Sequence, residues 1–442
     1  MMTNNIIRDL GNDLIIRHAT LADEQALVDF SIEIHSEGNW DGKGLEDWVR
    51  DLISGEGPTF DTGDFTIIEN TTNGEIVSSC CLISQTWSYE GIPFKLGRPE
   101  LIGTKKEYRR RGLIRQQFEI LHQWSKKRGE LVQAITGIPY YYRLFGYEMT
   151  MNLGGGRVGY EIHVPELKEG QEEPYNFRPA TETDIPFLKS TYERGCRRSI
   201  VRTLWDDAFW HYEITGKRQY NINRREIYII ENMEGDQLGF IGIPSLKWGK
   251  NSVLTLYELA PGFSWSAVTP SVIRFLWKIG EEKAREQDQT QKMFGFWLGE
   301  EHPAYQVTET QLPREIQPYA FYLRVPDLVA FLTTIKPVIE TRLAGSAFAN
   351  TTVALKLNFY RDGLSLDFEK GQLKTVKALS FNELENSSAN FPPLTFLHML
   401  FGYRTIDEIK YMHKDCSTKD EQTAQLLDVL FPKKPSDVWP IS

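Results

Sequence analysis

The stretch Glu100-Leu101-Ile102-Gly103-Thr104-Lys105-Lys106-Glu107-Tyr108-Arg109-Arg110-Arg111-Gly112-Leu113-Ile114-Arg115 changes character twice. Residues 97–104 read as a strand. A polar loop with three consecutive arginines and a glycine follows. From Gly112 to Lys127 the apolar positions Ile114, Phe118 and Leu121, with Ser125, fall along one stripe at a period near 3.6, which predicts an amphipathic helix. The first amides of a helix have no intrahelical partner, and together with the helix dipole they favour a phosphate. Gly112 lets the backbone approach such a group, and Arg109, Arg110, Arg111 and Arg115 place positive charge around it. The segment is therefore a candidate pyrophosphate cradle. It is not a P-loop, because no GxxxxGK[ST] run is present.

The flanks supply the rest of a domain. Upstream, Leu14 to Arg17 reads as a strand, and Asp23 opens a helix with Leu27, Phe30 and Ile34 on one face. Phe65 to Ile68 and Glu75 to Ser84 read as strands around an Asn73-Gly74 turn. Downstream, Leu131 to Ile135 is a short strand and Tyr140 to Leu144 a short helix. This order predicts a mixed α+β fold. Part of the pattern recurs. Arg17-His18-Ala19-Thr20-Leu21-Ala22-Asp23 and Arg178-Pro179-Ala180-Thr181-Glu182-Thr183-Asp184 share R-x-A-T-x-x-D, 161 residues apart. Ile67-Ile68-Glu69-Asn70 returns as Ile229-Ile230-Glu231-Asn232 at an offset of 162, and Gly74 as Gly235 at 161. Two copies of one domain are expected, over residues 1–165 and 175–324, joined by the polar segment Glu166–Pro174. From residue 325 to 442 the pattern differs. A helical run broken at Pro337, hairpin strands around Asp362-Gly363 and Lys370-Gly371, and helical stretches at Leu394–Ile409 and Gln422–Phe431 predict a third, unrelated α+β domain.

Composition narrows the function. The 442 residues carry a net charge of −10, which argues against nucleic acid as a partner and suits a cationic substrate. No apolar run is long enough for a membrane helix, and the N-terminus has no secretory pattern, so a cytoplasmic protein is expected. Cys80, Cys81, Cys196 and Cys416 form no CxxC, and the eight histidines form no metal-like pair, so no metal is expected.

Arg109-x-x-Gly112-x-Ile114 resembles the acyl-CoA motif [RQ]-x-x-G-x-[GA] of the GNAT acyltransferases, with isoleucine at the last position. R-R-R-G followed by two apolar residues and Arg115 is similar to the enhanced-intracellular-survival (Eis) branch of that superfamily. So is the Y-x-x-F-G-Y segment at Tyr142, Phe145, Gly146 and Tyr147. The resemblance implies tandem GNAT folds followed by a sterol-carrier-protein-like domain, acetyl-CoA as co-substrate, an amine-bearing small molecule or lysine as acceptor, and homo-oligomerisation. It further implies that the main chain of Ile102, Gly103 and Thr104 binds pantetheine. The amides of Arg110, Arg111, Gly112, Leu113, Ile114 and Arg115 would hold the pyrophosphate, and Gly137 and Ile138 the thioester arm.

Tyr142 matches the family's acid tyrosine. A phenol suits that role because it stays protonated at neutral pH and can protonate a departing thiolate. Two carboxylates are candidates for the base. Glu100 lies two and four positions before Ile102 and Thr104, so strand alternation places all three on one face. The Eis resemblance points instead to the chain's terminal carboxylate, here that of Ser442. Glu37-Gly38-Asn39-Trp40-Asp41 joins two carboxylates to an indole and can border an amine site. In the second copy Glu258-Leu259-Ala260-Pro261-Gly262-Phe263-Ser264-Trp265 replaces the arginine loop, so no phosphate site is expected there. The competing reading is a non-catalytic protein that senses acyl-CoA and holds a lipid in its tail.

Overall fold

The computed structural model of the protein describes residues 5–36, 42–246, 251–286 and 288–438. Strands Ile6–Gly11 (β1), Leu14–His18 (β2), Phe65–Asn70 (β3), Glu75–Tyr89 (β4) and Ile92–Thr104 (β5) form an antiparallel run in sequence order. β5 then pairs in parallel with Val132–Ile135 (β6), and Glu148–Leu153 (β7) lies at the far edge. Helices Glu24–His35 (α1) and Gly42–Ser54 (α2) bury Leu27, Phe30, Trp48 and Leu52 against Phe65, Ile67, Cys81 and Ile83 on one face. The other face takes helix Leu113–Lys127 (α3), whose Leu121 packs on Cys80 and Leu82. α3 is also the crossover that a parallel pair requires.

The parallel contact is short. Leu96 faces Val132 and Gly97 faces Gln133, after which β5 stays with β4 as far as Thr104. β5 and β6 therefore separate into a wedge that opens toward the N-terminus of α3.

The internal repeat has a physical cause. Arg17 grips Asp23 through both terminal nitrogens, at 2.8 and 2.7 Å, and Glu69 through Nε at 2.6 Å. Arg178 holds Asp184 at 2.8 Å twice and Glu231 at 2.8 Å. The amides of Thr20 and Thr181 donate to Asp23 and Asp184. R-x-A-T-x-x-D and I-I-E-N are thus one ion-paired corner, built twice: a strand start, the turn into a helix, and the neighbouring strand.

Beyond residue 175, Asn176–Pro179, Arg225–Glu231, Gln237–Pro244 and Leu256–Leu259 make an antiparallel sheet. Asn251–Leu254 leaves that sheet to pair in parallel with Met293–Phe296. Strands also cross between the sheets. Gly156–Tyr160 pairs with Met293–Phe296 and Arg314–Ile316 in a separate four-stranded sheet. Tyr319–Arg324 inserts between β6 and β7 of the first sheet.

The tail has a five-stranded sheet, and its core runs without interruption into Trp87, Tyr89 and Phe94 of the first sheet. The Tyr89 hydroxyl donates to the Leu400 carbonyl at 2.6 Å, and Arg342 pairs with Glu90 at 3.0 Å. The break expected at Pro337 separates helices Leu328–Thr334 and Lys336–Ala344. Leu394–Ile409 is not one helix. It divides into Leu397–Leu400 and a helix starting at Ile406, with Gly402 left-handed between them (φ +67°). Among the described residues, no helix is long and apolar enough to cross a membrane, and no group of three or more His, Cys, Asp or Glu is placed to hold a metal ion.

Candidate active site

The residues singled out around the arginine loop converge on the wedge, with one correction. Glu100 is opposite Cys81 and Gly103 is opposite Ser79, so Leu101 and Ile102 together face a single β4 residue. This is a β-bulge, and Leu101 carries it in a left-handed conformation (φ +51°). Cys81 and Ser79 share one face of β4, so Glu100 and Gly103 share a face of β5, and Ile102 and Thr104 point to the other. The expectation that Glu100, Ile102 and Thr104 lie on one face fails, because the bulge resets the alternation. Glu100 is on the α1 face, where a Cβ on Gly103 would meet Ile34 at 2.7 Å. Ile102 packs with Cys80, Leu121 and Phe118 on the α3 face.

Glu100 is largely buried and paired with Arg98 at 2.5 Å. Burial pushes its carboxyl above the usual carboxylate range, against the pull of Arg98. Arg98 is fully buried, its guanidinium 5.0 Å from the centre of the Phe321 ring.

The loop before α3 is shaped as a cradle. Arg110 and Gly112 both take left-handed backbone conformations (φ +64° and +76°). Glycine adopts this freely, while for arginine it is local strain of the kind found at ligand sites. The first α3 bond runs from the Gln116 amide to the Gly112 carbonyl at 3.2 Å, so the preceding turn of amides has no intrahelical acceptor. Arg109 Nε donates to the Thr104 carbonyl and Arg111 Nη2 to the Glu107 carbonyl, each at 3.1 Å, which braces the loop against the end of β5. Arg110, Arg111, Gly112 and Arg115 are exposed, and Leu113 is buried. Ile114 is half-buried and packs against the cluster that contains Phe118 and Tyr142.

Tyr142 closes the wedge from the α3 side. The turn Tyr141–Phe145 follows β6 and buries Tyr142, while Tyr140 stays 69% exposed. One face cannot take three successive side chains, and the three tyrosines divide accordingly. A Cβ on Gly137 would lie 3.2 Å from the Tyr142 hydroxyl, so this residue is held to glycine, with φ +126°. The Ile138 backbone reaches the same hydroxyl. Burial, and then the charge of Glu100, push the Tyr142 phenol well above its ordinary value, so it keeps its proton throughout the neutral range. Ser442 and the segment Glu37–Asp41 lie outside the described residues.

The sequence reading missed two groups. One is a buried network beneath the cradle. Gln117 on α3 donates to the Thr66 carbonyl and hydroxyl at 3.0 and 2.9 Å. Ser78 Oγ lies 2.8 Å from both Gln117 Oε1 and the Gly103 carbonyl, sharing one proton between them, and 2.9 Å from Thr104 Oγ1. α3 is thereby tied to β3, β4 and the bulged end of β5. The other group is Tyr319 and Tyr322 on the crossing strand. Neither has a local pattern that marks it, because each meets the site across some 180 residues.

The region after residue 175 also holds a buried glutamate. Glu258 pairs with Arg198 at 2.5 Å and fills the space beside Gly195, where a Cβ would meet its Oε1 at 2.1 Å.

Residues 16–150 match the acetyltransferase (GNAT) domain family. That stretch, and not the whole chain, is similar to a GNAT acetyltransferase domain. No curated protein matches the chain in sequence. Among solved structures it is similar to a probable N-acyltransferase from Enterococcus faecalis, at 12% identity and a TM-score of 0.67 over 97% of this chain and 100% of that one. A GCN5-related N-acetyltransferase from Kribbella flavida gives 14% identity and a TM-score of 0.65, again over 97% and 100%. The Eis protein of Mycobacterium abscessus gives 11% and 0.60, over 96% and 99%. These likenesses establish the fold along the whole chain. The GNAT domain match itself spans β2 to the middle of β7, and so contains the cradle, the bulge and Tyr142.

Proposed function

We propose that the protein is an acetyl-CoA-dependent N-acetyltransferase that moves the acetyl group to a primary amine by direct attack in a ternary complex. The observation that carries the reading is the wedge itself: a bulged strand end, an amide-lined loop flanked by arginines and a protonated tyrosine meet at one opening. In this reading the amides of Arg110 to Arg115 hold the pyrophosphate, the main chain of Ile102, Gly103 and Thr104 holds pantetheine, and Gly137 and Ile138 flank the thioester arm. A bulge amide of β5, freed from the β4 ladder, stabilises the negative charge that develops on the thioester oxygen.

Glu100 and Tyr142 then face the reacting centre from opposite sides of the sheet. Glu100, with its raised proton affinity, takes a proton from the attacking ammonium directly or through a water. The amine nitrogen forms its bond to the acetyl carbon, the carbon–sulfur bond breaks, and Tyr142 gives its proton to the departing thiolate; the now cationic nitrogen gives up its remaining extra proton through water, which returns Tyr142 to the phenol and leaves a neutral amide. The second copy supplies no phosphate site, so the chain works with one active centre.

The test is acetyl-CoA turnover with polyamines, aminoglycosides and lysine peptides, followed by thiol release. Amine-dependent release supports the reading. Coenzyme A binding without turnover on any amine favours a sensor. Glu100→Gln and removal of the last three residues separate the two base candidates: the change that abolishes the acidic limb of the pH profile identifies the base.

A further inference from the structure

The turn that carries Tyr142 is held from outside its own domain. Tyr140, immediately before that turn, has φ +67°, a conformation costly for a bulky side chain. Its amide donates to the Tyr322 hydroxyl at 3.0 Å. The Tyr319 hydroxyl donates to the Gly137 carbonyl, and Thr136 Oγ1 donates to the Ala320 carbonyl at 3.1 Å. The Tyr322 ring also packs edge-on against Tyr142, with centroids 5.9 Å apart. All three anchors come from Tyr319–Arg324, the strand at the end of the second copy, which crosses back into the first sheet. Between them they fix each end of the segment from the tip of β6 to the Tyr142 turn.

We propose that Tyr322 is a positioning residue for catalysis, one that sets the acid through the strained Tyr140 peptide. The inference rests on the reading of Tyr142 as the acid. It gives the second copy a task although it has no ligand site of its own: it delivers the strand that completes the first copy's active centre. An acid displaced by about 1 Å loses much of its effect on the chemical step, while binding of the donor through the cradle is untouched.

The test uses the full-length protein and steady-state kinetics with acetyl-CoA and an accepted amine. Tyr322→Phe keeps the ring and removes only the hydroxyl. The expected result is a fall in kcat of about tenfold, with the KM for acetyl-CoA within about threefold of wild type. In a Tyr142→Phe background the same change is expected to lower kcat less than about twofold, because the group it positions is gone. Wild-type kcat for Tyr322→Phe, or an equal tenfold loss in both backgrounds, overturns the proposal. If Tyr322→Phe does not fold, Tyr319→Phe, which frees the Gly137 carbonyl, is read by the same two criteria. Undiminished activity of Tyr142→Phe alone removes the acid assignment whatever Tyr322 does, and loss in Tyr142→Phe without loss in Tyr322→Phe removes only the positioning role.

Discussion

Glu100 and Tyr142 are both raised in proton affinity by burial, and that one cause suits two opposite tasks. A base is active only once ionised, so kcat/KM should climb with pH along a limb whose midpoint lies above the usual glutamate value near ~4.3, because Glu100 is shifted upward. Glu100→Gln should abolish that limb in a pH–rate profile. Tyr142, shifted further from neutrality, should show no alkaline loss below about pH 9, and Tyr142→Phe should lower kcat by about 10²-fold or more. Away from the site, Arg178 holds Asp184 down to about 2. The folded value is the depressed one, so the pair's contribution is full above the ordinary aspartate value near ~3.9 and is lost as pH falls toward about 2. Asp184→Asn should therefore melt below wild type at pH 7, with the difference closing between roughly pH 4 and 2, as calorimetry can measure. Both carboxylates were legible in the sequence as residues of interest. The direction in which Glu100 points was not, because the bulge sits at Leu101, where no glycine or proline marks it.

At the scale of elements, the strand–loop–helix turn was readable because its causes are local: a strand end, an arginine loop, a glycine and a helical stripe lie in one short run. What sets the cradle's position is not local. Gln117 reads as one polar residue in a helix, yet it is fully buried and fastens α3 to Thr66 and Ser78. Gln117→Met fills similar space without those bonds, and should raise the KM for acetyl-CoA several-fold while leaving the KM for the amine unchanged. Gly97, at the apex of the wedge, is fixed by packing: a Cβ there would lie 2.2 Å from Glu130 Oε2 and 3.0 Å from Leu82. Gly97→Ala should cost about 1–3 kcal/mol in chemical denaturation, the range for overpacking a filled interior.

At the scale of the molecule, the repeated corner at Arg17 and Arg178 was legible in the sequence, and the crossing of strands between sheets was not. The repeat shows because the Arg–Asp–Glu corner needs the same residues at the same spacing twice. The crossing does not show, because a strand's composition records that it pairs, and not with which partner. A piece ending at residue 165 would lack Tyr319–Arg324, leaving β7 without its partner strand and one edge of β6 open. Such a piece should fail to unfold cooperatively in a thermal melt, whereas the full chain should do so. The central claim is that the wedge of the first copy transfers acetyl groups with Tyr142 as the acid. Its most direct test is amine-dependent thiol release from acetyl-CoA by the full-length protein and by Tyr142→Phe under identical conditions. The account predicts turnover by the first and a loss of about 10²-fold or more in the second; equal rates, or coenzyme A binding with no turnover on any amine, would contradict it.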